Sequence, residues 1–114
     1  MGNTGSLIKN IVGDKFFFGR VGGEEFVMVC PMLNKSKASL LSDRIRERLS
    51  KTRFKVGAKK NEQKIQITCS FGVAEFSEEL TDISETFEAA DKALYKAKDE
   101  GRNTVCVYTK NGII

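Results

Sequence analysis

Histidine is absent from the 114 residues, and cysteine is scarce. Together these exclude a His/Cys metal centre: Cys30, Cys69 and Cys106 are odd in number, sit in or beside predicted strands, and lack the paired spacing of a zinc site. They read as buried free thiols. Long apolar runs are missing too. None approaches the ~20 residues that span a bilayer, and Met1-Gly2-Asn3-Thr4 opens no secretory signal. The segment is therefore expected to be cytoplasmic, with no membrane span. The one proline, Pro31, cannot donate to a ladder and is expected to end a strand. No internal repeat or low-complexity tract interrupts the chain. What remains is 40% hydrophobic and 30% charged, which suits one domain with a modest core.

The net charge of +4 is unevenly spread. Residues 35–64 carry eleven Lys or Arg against Asp43, Glu47 and Glu62, while the rest of the chain is acidic on balance. One basic face is expected. A solvated helix surface explains such a face more often than a nucleic-acid partner does. Recognition of bases would also need exposed aromatic pairs on adjacent strands, which are not evident, so no nucleic acid is expected.

Leu7, Ile8, Ile11 and Val12 recur at helical spacing and predict a short helix within residues 2–15, stopped at Gly13-Asp14. Phe16 to Arg20 and Glu25 to Cys30 read as two near-continuously apolar strands, buried on both faces. Asn34 is the expected N-cap of a helix whose core stripe is Ala38, Leu41, Ile45 and Leu49, with Lys35, Arg44, Arg46 and Arg48 facing solvent. Phe54, Val56 and Ala58 alternate, and Lys59 to Glu62 turns the chain. Ile65, Ile67, Cys69, Phe71 and Val73 then predict one continuous strand. After a polar loop from Ser77 to Thr81, Asp82 and Glu85 open a helix with Ile83, Phe87, Ala90, Leu94 and Ala97 as its apolar stripe. Gly101 ends that helix. Thr104 to Tyr108 is the final strand, and the chain from Lys110 onward reads as a tail.

The stretch Arg20-Val21-Gly22-Gly23-Glu24-Glu25-Phe26 lies between the first two strands. Glycine reaches positive φ without strain, so Gly22-Gly23 can form a hairpin tip that lets a ligand approach the backbone closely. A solvated turn would use the same residues. Glu24 and Glu25 point to opposite faces of a regular strand, so one of them faces a ligand or metal and the other faces solvent. Both are hard oxygen donors of the kind Mg²⁺ selects. Lys98 and Arg102, four apart at a helix end, either complement the helix dipole or reach a triphosphate.

Taken in order, Gly22-Gly23-Glu24-Glu25-Phe26, Ser70-Phe71-Gly72-Val73-Ala74 and the run from Ala90 to Asn103 resemble the GGDEF domain of diguanylate cyclases, over roughly residues 16 to 107. Glu at the third signature position is a common variant of the motif. The resemblance implies an α/β (α+β) fold: a ferredoxin-like, nucleotide-cyclase palm sheet with helices packed on it, here a single partial domain over residues 1–114 that is truncated at its N-terminus. It also implies a reaction. Each of two facing domains binds one GTP, and each 3′-hydroxyl attacks the other nucleotide's α-phosphate to give cyclic di-GMP. By motif position, Gly22 and Gly23 lie against the nucleotide. Glu24 and Glu25 serve as metal ligands for Mg²⁺ or Mn²⁺ and in catalysis, and Lys98 and Arg102 bind phosphate.

Other parts of the family pattern have no counterpart in this sequence. The family domain opens with an apolar strand ending in a metal-binding Asp, followed by a Phe-Lys phosphate turn and by Asn and Asp residues that read guanine. The residues ahead of the hairpin hold none of these. A chain without them is expected to be inactive alone and to form homodimers or strand-exchanged oligomers. The family's inhibitory product site is an Arg-x-x-Asp, and Gly13 and Phe16 stand at those positions, so no such site is expected. The alternative function is a non-catalytic nucleotide-binding or protein-interaction module.

Overall fold

The computed structural model describes residues 17–22, 25–30, 33–57, 63–77 and 80–114. The expected helix within 2–15, Gly13, Phe16, Gly23, Glu24, Pro31 and the turn from Ala58 to Glu62 lie outside the described residues. The chain divides into two compact units, Met1–Leu33 and Asn34–Ile114.

The first unit carries an antiparallel hairpin of β1 (Phe17–Gly22) and β2 (Glu25–Val29). Regular pairing runs from Phe17↔Val29 to Arg20↔Phe26, and then the register slips so that Gly22 pairs with Glu25. Val21 is thus an extra residue on β1, a β-bulge of the kind that bends a strand and increases its twist. This corrects the expectation that Gly22 stands at the hairpin tip: it is a paired strand residue, and β1 runs two positions past Arg20. At the far end of β2, Met28 is half-buried but Val29 is exposed, so burial on both faces does not extend to the strand's end.

The second unit is mixed α/β. Its elements are α1 (Lys35–Lys51), β3 (Arg53–Val56), β4 (Gln63–Gln66), β5 (Phe71–Val73), α2 (Ile83–Asp99), β6 (Val105–Thr109) and β7 (Gly112–Ile113). As expected, Asn34 caps α1: its side-chain oxygen accepts from the Lys37 backbone N–H at 2.9 Å. Glu75 adds what α1 lacks in its own first turn, a carboxylate on the dipole, accepting from the Lys35 N–H at 2.6 Å. Ile45 and Leu49 are fully buried. Ser42, buried beside them, satisfies its hydroxyl by donating to the Ala38 carbonyl at 2.8 Å.

The alternation from Ile65 to Val73 does not form one strand. Gln63–Gln66 pairs antiparallel with β3, whereas Phe71–Val73 pairs parallel with β6, and residues 67–70 join neither ladder. A period of two records which side chains can share a face; it does not record which strand partners the backbone, and here the partner changes midway. All of β4 is exposed.

The parallel pair β5–β6 is joined by α2 as its crossover, and the whole arrangement depends on Gly72. A Cβ there would run into the Ala90 carbonyl oxygen and the Leu94 backbone nitrogen, and would lie 2.8 Å from the Leu94 Cα. The helix backbone therefore rests directly on the strand. Ala89, Ala93 and Ala97, one helical turn apart, are the buried line of α2; Ala93 and Ala97 cluster with Cys106, and Tyr108 and Ile113 pack alongside. This differs from the expected stripe. Ala97 belongs to both and Ala90 and Leu94 are half-buried beside the line, but Ile83 at 77% and Phe87 at 40% exposure stand outside it; the close approach at Gly72 favours small side chains on the inner face. Strand alternation sends Val73 to the opposite face, where it too is buried, as a parallel pair requires.

The C-terminal tail is instead part of the sheet. Gly112, at φ +128°, and Ile113 form β7, which pairs antiparallel with β6. Thr109 donates its hydroxyl to the Gly112 carbonyl at 2.6 Å, and Ile114 exchanges backbone bonds with Val107 at 2.7 and 2.9 Å. Lys110 and Asn111 are the two-residue loop, between Thr109 and Gly112, which form the last pair of this hairpin. Among the described residues no helix is long and apolar enough to cross a membrane.

Gly72→Ala must displace helix backbone rather than a flexible side chain end, and is expected to destabilise the chain by about 3 kcal/mol or prevent folding. Urea unfolding checks this. A loss under about 1 kcal/mol would mean that α2 sits farther from β5 than described.

Candidate functional site

Of the residues the sequence singles out, Gly22 and Glu25 come together as the last register pair of the β1–β2 hairpin. The bulge at Val21 lies beside them, and bulges recur where a strand end must be re-aimed near a site. Gly23 and Glu24 fall between these paired residues in the chain and lie outside the described residues.

Lys98 and Arg102 lie on the same closing turn at the end of α2, and the local sequence explains how. The helix cannot continue past Glu100 because Gly101 enters the left-handed region at φ +111°. The Arg102 N–H then donates to the Ala97 carbonyl at 3.0 Å and the Gly101 N–H to the Lys98 carbonyl at 3.4 Å. This is the Schellman arrangement, and it folds Arg102 back over the last turn that holds Lys98. Lys96 and Lys98 both lie in that last turn, where cations favour the dipole. Lys96 is committed elsewhere, donating to the Ile113 carbonyl at 2.8 Å.

The turn does not relax after Gly101. Arg102 sits at φ +65° and Asn103 at φ +49°, so the glycine is followed by two non-glycine residues in the left-handed region. Such a conformation costs on the order of 1–2 kcal/mol per residue, less for Asn, and persists only where the surroundings impose it. They do so here. The Asn103 N–H donates to the Ser70 hydroxyl at 3.0 Å, and its side-chain oxygen accepts from Arg46 Nη1 of α1 at 3.1 Å. Arg46 is itself held by Asp43, whose carboxylate accepts from Nε at 2.7 Å. One step on, the Thr104 carbonyl accepts from the Phe71 N–H at 2.9 Å.

Sequence reasoning missed Arg46, which it assigned to the solvent face, and Asn103. The available signal was Asn two positions after a helix-ending Gly, since Asn tolerates the left-handed region better than other non-glycine residues. All three cysteines are free as expected, but only Cys106 is buried; Cys30 and Cys69, also expected to be buried, are half-buried. Burial pushes the thiols of Cys30 and Cys69 up, and burial followed by the nearby Glu100 carboxylate does the same to Cys106, so all three are held as neutral thiols. Among the described residues no three His, Cys, Asp or Glu gather in a way that could hold a metal ion.

Arg102→Gly removes left-handed strain and is expected to raise stability by about 1 kcal/mol, read as a higher urea midpoint. No gain would mean that the Arg102 side chain itself holds the turn.

A family model described as diguanylate cyclase, GGDEF domain, matches residues 2–104. That span begins earlier than the motifs do. A diguanylate cyclase from Vibrio cholerae serotype O1 is 35% identical over 105 residues, covering 92% of this chain and 31% of that protein. Diguanylate cyclase A from Treponema denticola is 32% identical over 105 residues, covering 92% and 27%. The chain thus spans less than a third of the length of these two curated relatives. The solved structure of the active GGEEF domain of a diguanylate cyclase from Vibrio cholerae matches with a TM-score of 0.73 at 31% identity, covering 96% of this chain and 66% of that one. The GGDEF domain of DgcB from Caulobacter crescentus, in complex with c-di-GMP, matches with a TM-score of 0.72 at 26% identity, covering 91% and 60%. The palm-type α/β fold is shared, the family pattern runs through nearly the whole sequence, and the chain belongs to the GGDEF domain family of diguanylate cyclases.

Proposed function

We propose that this chain is part of a single GGDEF domain whose parent protein condenses two GTP into cyclic di-GMP, and that it contributes phosphate-binding residues at the end of α2 and metal-binding residues at the hairpin. The observation that carries this reading is the end of α2, where one closed turn gathers Lys98 and Arg102 at the cost of left-handed strain at Arg102. Strain of this kind clusters where function requires it. Lys98 and Arg102 bind the triphosphate, and the planar fork of Arg102 suits two phosphate oxygens at once. Gly22 and Gly23 leave room for the nucleotide beside the hairpin.

Glu24 and Glu25 would hold Mg²⁺ or Mn²⁺, and when bound such an ion supplies positive charge to the phosphates. The carboxylates also serve in catalysis, orienting the ion and accepting a proton. The reaction needs two nucleotides and hence two copies, so the working form is a homodimer or a strand-exchanged oligomer. The sequence carries no Asp-ended apolar strand ahead of the hairpin and no guanine-reading Asn and Asp, and a two-metal site that lacks a carboxylate loses an anchor. These 114 residues alone therefore bind GTP without turning it over. The same missing residues favour the second reading, a non-catalytic nucleotide-binding module.

Incubation of the chain with GTP and Mg²⁺, followed by chromatography, is expected to yield no sustained cyclic di-GMP; sustained formation would overturn the inactive reading. Calorimetry is expected to detect GTP binding that Lys98→Ala and Arg102→Ala each weaken by about tenfold or more, the usual scale for losing a charge-assisted hydrogen bond. Unchanged affinity in both variants would remove the phosphate role. Light scattering at micromolar concentration is expected to report dimers or larger species, and a clean monomer would contradict the assembly.

A further inference from the structure

We propose that Arg46 and Asn103 are positioning residues: they hold the turn after α2 in the one conformation that presents Arg102 to phosphate. The inference rests on the reading of Arg102 as a phosphate contact and adds the device that aims it.

The argument starts from the backbone. Arg102 and Asn103 both occupy the left-handed region, and neither is glycine. The Schellman bonds account for Gly101 and for the N–H of Arg102. They do not reach Asn103. That residue is fixed from two other elements, its N–H by Ser70 just ahead of β5 and its side chain by Arg46 of α1. Arg46 cannot swing freely to find Asn103, because Asp43 one turn earlier holds its Nε at 2.7 Å and leaves Nη1 for the asparagine oxygen at 3.1 Å. Arg46 is also less exposed than the Asp43 that holds it, 21% against 54% for the side chains.

The direction in which the Arg102 side chain leaves the turn follows from its own φ and from the φ of Asn103. Release of Asn103 lets both residues relax to the ordinary right-handed or extended regions, which non-glycine residues prefer. A helix surface residue far away in sequence thereby sets the aim of a phosphate-binding cation. Arg46 belongs to the basic face that charge alone would assign to solvent, yet its guanidinium is spent on Asp43 and Asn103 within this chain. A Lys could not do the same, since only a planar fork offers two donors to two acceptors at fixed angles.

The test is a double-mutant cycle read by calorimetric titration of GTP with Mg²⁺ into the 114-residue chain, using Arg46→Met, Arg102→Met and the double variant. Arg46→Met is expected to weaken GTP by about tenfold, or about 1.4 kcal/mol, and to add no further loss once Arg102 is Met. Asn103→Gly, which keeps the left-handed preference and so protects the fold, is expected to weaken GTP in the same non-additive way, while Arg46→Lys restores little of the loss. If Arg46→Met and Asn103→Gly leave GTP affinity unchanged while Arg102→Met weakens it, the positioning role is wrong and the phosphate role of Arg102 stands. If the losses from Arg46→Met and Arg102→Met add, Arg46 acts on its own and the inference is overturned. If the unmodified chain binds no GTP, the functional reading fails and takes the inference with it.

Discussion

A single missing methyl group sets the geometry of the larger unit. With no Cβ at position 72, the backbone of α2 can lie on β5 between Ala90 and Leu94 at a separation that any other residue would prevent. Once the helix is that close, its inner line must be small, and Ala89, Ala93 and Ala97 are what the sequence provides. The larger apolar residues of the helix are displaced to its flanks and its exposed side. The position of the last turn of α2 relative to the sheet is fixed by the same contact, and the candidate phosphate site is built on that turn.

The end of α2 then combines two kinds of constraint. The helix terminates by local chemistry, Gly101 and its two backward hydrogen bonds, which would operate in any protein. The residues that follow are shaped from a distance, by Ser70 and by the Asp43–Arg46 pair on α1. Because Phe71 and Asn103 are both tied across this junction, the start of β5, the end of α2 and the exposed side of α1 meet at one point. The surface charge network there is structural in form, although exposed ion pairs in isolation contribute little.

Local rules were legible in the sequence. Asn34 and Asp82 cap their helices as expected, with the Asp82 carboxylate accepting from the Ser84 N–H at 2.7 Å, and Gly101 ends α2. These positions depend on near neighbours in the chain. What could not be read depends on distant partners. The break between β4 and β5 follows from a change of pairing strand, the Ala line of α2 from a glycine on another element, and the role of Arg46 from a residue 57 positions away. The candidate site divides the same way: Lys98 and Arg102 were found by motif and placed on one turn, while the residues that hold the turn carried no pattern of their own. The hairpin closed by Lys110 and Asn111 is a different kind of miss, since Asn followed by Gly marks a turn region and that signal was present and local.

The parallel pairing of Phe71 with Val105 has a kinetic meaning. These strands are separated by the whole of α2, so their contact closes a long loop, whereas β6 and β7 close over a tight turn and α2 forms within itself. Chain entropy favours the short closures first and delays the long one. Docking of the glycine strand beneath a preformed helix is accordingly the late event in reaching the native state, and until it happens the turn at Asn103 has no Ser70 to bind.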